Sequence, residues 1–160
     1  MTGGELIFTD RAGYQAAVAD CVGTLHGSLD IFDFDLTATG LDTRTMVERL
    51  HAALIAAPGS EVRVVLHDAK PLQTRMPRLW SACATHAHRI RIRETPRSLK
   101  HLTDCFILNG REALVRRIHR DHWRGRYMRQ DVAEASAYAN RFGEIWAACS
   151  CCISTTRLGL

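Results

Sequence analysis

Asp104-Cys105-Phe106-Ile107-Leu108-Asn109-Gly110-Arg111-Glu112-Ala113-Leu114-Val115-Arg116 reads as two apolar runs folded about a turn. Aromatic and branched side chains suit a pleated, buried surface. Asn-Gly takes the positive φ that a tight hairpin demands. Residues 104–108 and 112–116 are therefore predicted as paired antiparallel strands. Just upstream, Arg89-Ile90-Arg91-Ile92-Arg93 alternates strictly, which predicts a strand with one buried and one basic face.

Further toward the N-terminus, Val62, Val64, Val65 and Leu66 mark a buried strand over 61–67. Leu29 to Leu36 reads as another, and Leu6-Ile7-Phe8 as a short first one. Helices fit the gaps. Tyr14, Ala17, Val18, Cys21 and Val22 recur at helical spacing after Thr9 or Asp10, either of which suits an N-cap. A second helix begins at an Asp42 cap, buries Met46, Val47, Leu50 and Leu54, and stops at Pro58-Gly59. A third covers about 76–87, after a loop from Asp68 to Pro71. Beyond the hairpin, residues 119–129 read as an irregular basic loop. Asp131 caps a last helix carrying Val132, Ala135, Tyr138, Phe142, Ile145 and Trp146 on one face. The expected architecture is one α/β domain over residues 1–160, a mixed sheet covered by helices, with an irregular tail at 149–160.

A chain of 160 residues buries enough surface to fold without covalent staples. The six cysteines match neither a zinc ribbon nor a secreted disulfide framework, so reduced thiols and a cytoplasmic location are expected. The first residues have no basic stretch followed by an apolar run, which argues against a signal peptide. No segment approaches the ~20 apolar residues of a membrane span. The net charge of +4 is unevenly spread. Residues 1–88 hold seven basic and ten acidic side chains, whereas residues 89–129 hold twelve and four. Such a segment concentrates positive potential and suits an anionic ligand, an acidic protein or nucleic acid.

The hairpin ending in Asn109-Gly110, the Arg-rich strand before it and the preceding βα units resemble one half of the phospholipase D superfamily. The sequence is most similar to a degenerate, non-catalytic bacterial branch. The order of elements matches over most of the chain, and the motif over residues 101–117. The resemblance implies a phospholipase D-like single half that pairs with a second copy as a homodimer. The family's active motif is His-x-Lys, four residues, Asp, then Gly. With Gly110 in the last place, Asn109 takes the Asp position, Asp104 the Lys position and Leu102 the His position. Leucine cannot attack phosphorus, and aspartate repels phosphate. His101 lies one residue away, which on a strand turns it to the opposite face. No catalytic residue, metal ligand or cofactor is therefore assigned.

The residues expected to contact an anion are Arg91, Arg93, Arg116, Arg117 and Arg124. Asp104 is expected to pair across the hairpin with Arg116 or Arg117 as a structural ion pair. Two rival readings stay open. Asp33, Asp35 and Thr37 resemble the Asp-x-Asp-x-Thr opening of the haloacid dehalogenase family, which implies a magnesium-dependent phosphohydrolase; Asp30 lies near them in sequence. Trp123 and Tyr127 among arginines suit single-stranded nucleic acid. His119-Arg120-Asp121-His122, His86-x-His88 and Cys149-x-Cys151-Cys152 each hold too few ligands for a metal site, and are read as polar loop, helix end and ordinary thiols.

Overall fold

In the computed structural model, which describes residues 4–155, the chain runs β1 (Glu5–Phe8), α1 (Arg11–Val22), β2 (Ser28–Asp33), α2 (Arg44–Ala56) and β3 (Glu61–Leu66). It continues through α3 (Lys70–Arg75), α4 (Pro77–Thr85), β4 (Ile90–Glu94), β5 (Cys105–Asn109) and β6 (Ala113–Arg117). It ends with β7 (Gly125–Arg129), α5 (Val132–Ala148) and β8 (Cys151–Ile153). The strands form one sheet in the order β1-β7-β6-β5-β2-β3-β4-β8. Only the β2-β3-β4 pairings are parallel, as two βα crossovers require; every other neighbour is antiparallel. This is the mixed α/β sheet expected from the sequence.

Alternation along each strand separates two cores. Leu29, Ile31, Val62, Val64, Ile107 and Val115 pack with α1, α2 and α4 on one face. Phe32, Val65, Phe106, Leu108 and Leu114 pack with Phe142 and Ile145 of α5 on the other. Helix α5 lies chiefly against β2 and β5, and its Tyr138 and Glu134 reach Arg116 of β6, so the β7-β1 edge of that second face is the part it covers least.

Helix starts follow local chemistry. Asp10 caps α1 by accepting from the Gly13 amide at 2.7 Å, and Asp131 caps α5 through the Glu134 amide at 3.2 Å. The cap of α2 is Thr43, not Asp42; Asp42 instead accepts from the Leu79 amide near the start of α4 at 2.9 Å. The expected third helix is α4, which starts at Pro77 because the residue before a proline is driven from helical backbone, Met76 sitting at φ −124°, ψ 66°; the short α3 before it stands where the sequence reads a loop and its approach.

Four expectations change at the ends of elements. Strand β2 stops at Asp33, whose carboxylate accepts from the Leu36 amide and turns the chain, with Leu36 at φ +70°. The hairpin loop is Gly110–Glu112 rather than Asn-Gly alone, since Asn109 pairs with Ala113 inside the ladder. The supposed irregular loop contains β7, which pairs on both sides. The supposed irregular tail contains β8, bound to β4. Residues 156–160 of that tail lie outside the described residues.

Candidate functional site

In an open α/β sheet, ligands collect beyond the carboxyl ends of the parallel strands. Here that end carries Asp33 after β2, His67 after β3 and Thr95 after β4, beside the start of β5 and the end of β6. The resemblance assigns its histidine and lysine positions to the same end. Leu102 contributes only its carbonyl, which accepts from His67 Nε2 at 2.8 Å. A carbonyl cannot donate, so Nε2 carries the proton, and Nδ1 accepts from the Thr95 hydroxyl at 2.8 Å. His67 is thus a neutral, doubly bonded ring, and burial lowers its pKa.

Asp104 does not pair across the hairpin. Arg141 of α5 holds both its carboxylate oxygens, with Nη2 at 2.8 Å from Oδ1. Asp104, Phe106 and Arg116 alternate onto the face that α5 covers, and the helix supplies the nearer cation. Asn109 sits at the opposite end of the sheet, fully buried. Its Oδ1 accepts from the His26 amide at 3.0 Å, and its NH2 group donates to the Cys21 and Thr24 carbonyls. That position clamps the end of α1 to the hairpin.

The five predicted arginines do not gather in one place. Arg117 faces the α1 side and is only 2% exposed. Its guanidinium lies 4.4 Å from the Tyr14 ring and 5.1 Å from that of Trp123, and bonds the Arg120 and His122 carbonyls. It also stands 4.0 Å from the buried Asp33 carboxylate, whose pKa is pushed up chiefly by burial. Arg93 stacks on Trp146 at 4.0 Å and donates to the Trp146 and Cys149 carbonyls, closing the end of α5. Arg91 pairs with Glu61 at 3.0 Å. Helix α5 separates both from Arg116, which donates to the Tyr138 hydroxyl at 2.9 Å and lies 3.4 Å from Glu134.

Arg116 and Arg124 do meet. With Ile7, Ile118 and Arg126 they line an open cleft of about 370 Å³ beside α5, at the β6-β7-β1 edge of the same face. Ile7 is 53% and Ile118 75% exposed there. The sequence reading missed Arg126 and Ile7. The alternation of Gly125, Arg126 and Tyr127 was their only local signal, and the surrounding positive charge obscures it.

The aspartates of the phosphatase-like motif do not converge. Asp30 faces α5 and takes a two-pronged bond from Arg63 at 2.9 and 3.0 Å. Asp33 points to the other face, and Asp35 accepts from the Thr37 amide and hydroxyl. Among the described residues no three His, Cys, Asp or Glu side chains are grouped to hold a metal ion. His119 accepts from the Asp121 amide, His86 meets His51, and Cys151 and Cys152 lie exposed on β8.

A family model described as a domain of unknown function, DUF7931, matches residues 10–158. The chain belongs to the DUF7931 family. No curated protein matches it at a significant level. Among solved structures, the DUF7931 chain is similar to Nuc from Salmonella typhimurium, a phospholipase D family member, at TM-score 0.66 and 11% identity. That match covers 93% of this chain and 97% of Nuc. NucT from Helicobacter pylori gives TM-score 0.60 at 8% identity, covering 92% and 98%. TrmBL2, an archaeal chromatin protein whose structure shows a novel mode of DNA binding, gives 0.66 at 10% identity. The chain spans 91% of its own length but 52% of TrmBL2 in that match. At such identities the likeness establishes the fold, which is phospholipase D-like.

Proposed function

We propose that this DUF7931 chain is a non-catalytic member of a degenerate phospholipase D-like branch, and that it binds an anionic partner through Arg116 and Arg124. The observation that carries the reading is the open basic cleft at the β6-β7-β1 edge, where Arg124 and Arg126 join Arg116 around exposed Ile7 and Ile118. Leu102 and Asp104 at the histidine and lysine positions, with Asp104 tied to Arg141, support the non-catalytic part. His67 gives no substitute nucleophile, since both of its ring nitrogens are bonded. The fold shared with DNA-binding TrmBL2 favours the phosphate backbone of nucleic acid as the partner. A homodimer belongs to the same reading. The exposed Leu6 and Ile7 on the edge strand β1 supply an apolar surface suited to a two-fold contact.

Fluorescence anisotropy with labelled duplex and single-stranded oligonucleotides tests this across a salt series. Affinity should fall by orders of magnitude between about 50 and 200 mM salt if several phosphates are contacted. Arg116→Ala with Arg124→Ala should flatten the logarithmic salt slope by about two, one per lost phosphate contact. No binding at the lowest salt would overturn the nucleic-acid partner and direct the search to acidic proteins.

A further inference from the structure

Nearly every arginine of this chain that is half-buried or lies on the sheet has an acidic or carbonyl partner: Arg63 with Asp30, Arg93 with the end of α5, Arg126 with Glu5, Arg141 with Asp104. Arg75 and Arg78 lie exposed on α3 and α4. Among the described residues neither makes an ion pair or a side-chain hydrogen bond. Both line a cleft of about 380 Å³ together with Arg11, Gln15, Thr37 and Asp42. Three guanidinium groups and one carboxylate line the cleft, with the Asp35 carboxylate behind Thr37, so positive charge predominates.

Three helix starts border the cleft, at Arg11 of α1, at the Thr43 N-cap of α2 and at the Met76 N-cap of α4. Asp10 and Thr43 already cap the first two, and the carboxyl end of α3 meets the start of α4 at Met76, so the positive charge of the cleft comes from its guanidinium groups. The α4 end has no cap from its own N-cap side chain, and Asp42 provides one through the Leu79 amide. The cleft lies beyond the carboxyl ends of β2 and β3, between the β2–α2 loop and the α3–α4 junction. It opens on the α1–α2–α4 side of the sheet, the face opposite Arg116. It is independent of the anion-binding face proposed above.

We propose that this cleft binds a small phosphate monoester with a hydroxylated body, the chemistry shared by sugar phosphates and mononucleotides. The phosphate sits among Arg11, Arg75 and Arg78, which offer planar pairs of donors that match its oxygens. Asp42 spends one carboxylate oxygen on the Leu79 amide and turns the other to a hydroxyl of the ligand. The volume suits one small molecule rather than a polymer, within the usual range of about 300–1,000 Å³ for ligand sites.

Isothermal titration of the whole chain with ribose 5-phosphate, AMP, inorganic phosphate and ribose tests the assignment. Ribose 5-phosphate and AMP should bind, and ribose should not. The better of the two identifies the body as a sugar or a nucleoside. Arg75→Ala with Arg78→Ala should weaken binding at least tenfold with an unchanged melting temperature, because both side chains are exposed. Arg116→Ala with Arg124→Ala should leave it unchanged. Three results would overturn the proposal: no binding of either phosphate ester, binding that survives loss of Arg75 and Arg78, or binding lost with Arg116 and Arg124 instead. Inorganic phosphate that binds as tightly as ribose 5-phosphate would overturn recognition of the body.

Discussion

Asn109, where the resemblance puts the family's aspartate, works in this chain as a clamp. Its amide group can both donate and accept, and it uses both capacities. It donates to the Cys21 and Thr24 carbonyls and accepts from the His26 amide. Restoring the family's aspartate would set carboxylate oxygens against those two carbonyls in a site without solvent. Asn109→Asp should therefore cost about 3 kcal/mol, from one or two buried acceptors left unmet. Urea denaturation measures this, and a change within about 0.5 kcal/mol, typical of a surface site, would show that the clamp carries no load. Arg117 makes a related point. As one of several arginines in the hairpin it reads as solvent-facing, yet strand parity turns it inward onto Tyr14, Trp123 and Asp33. Its neighbour Arg116 goes to the other face. The site residues were legible as a set of cations, but the face each would occupy depends on a register that a single residue of error reverses.

At the level of elements, the strands with strong apolar runs were readable, because β3, β5 and β6 carry their own pattern. Strand β7 was not. Gly-Arg-Tyr-Met-Arg is polar, and it becomes a strand because β1 and β6 offer it unpaired backbone on both sides. Gly125 is what permits the approach: a β-carbon there would lie 2.2 Å from the Arg116 carbonyl oxygen and 2.5 Å from the Phe8 ring. The oxygen belongs to the β6–β7 ladder and cannot move aside without breaking it. Gly125→Ala should destabilise the chain by about 3 kcal/mol, at the upper end of overpacking costs. Thermal unfolding reads the loss, and an unchanged melting temperature would show that β7 does not hold this register. Helix α4 was readable from about Met76, where Pro77 starts it, whereas the six-residue α3 before it is too short to carry a helical pattern of its own.

Across the whole molecule, helices cover the two faces of one sheet to make two cores, and the six cysteines report on that layering. Cys21, Cys83, Cys105 and Cys149 are buried, while Cys151 and Cys152 are exposed. Burial also pushes the Cys21 and Cys83 thiols up to about 12, which keeps them protonated and unreactive. Alkylation of the native protein should therefore add two labels per chain, and six after unfolding, as counted by mass spectrometry. A third label on the native chain would show that one of the four buried thiols is accessible. The sequence by itself determined the mixed α/β class, most helices and the absence of a His-x-Lys pair, because periodicity and residue identity are local properties. Only the tertiary structure decided that Asp104 belongs to Arg141 and that Arg117 is buried. It also placed Arg124 beside Arg126, and Arg11 near Arg75 and Arg78. Those relations join residues far apart in the chain, and they follow from strand order and face, which long-range pairing sets and local pattern does not.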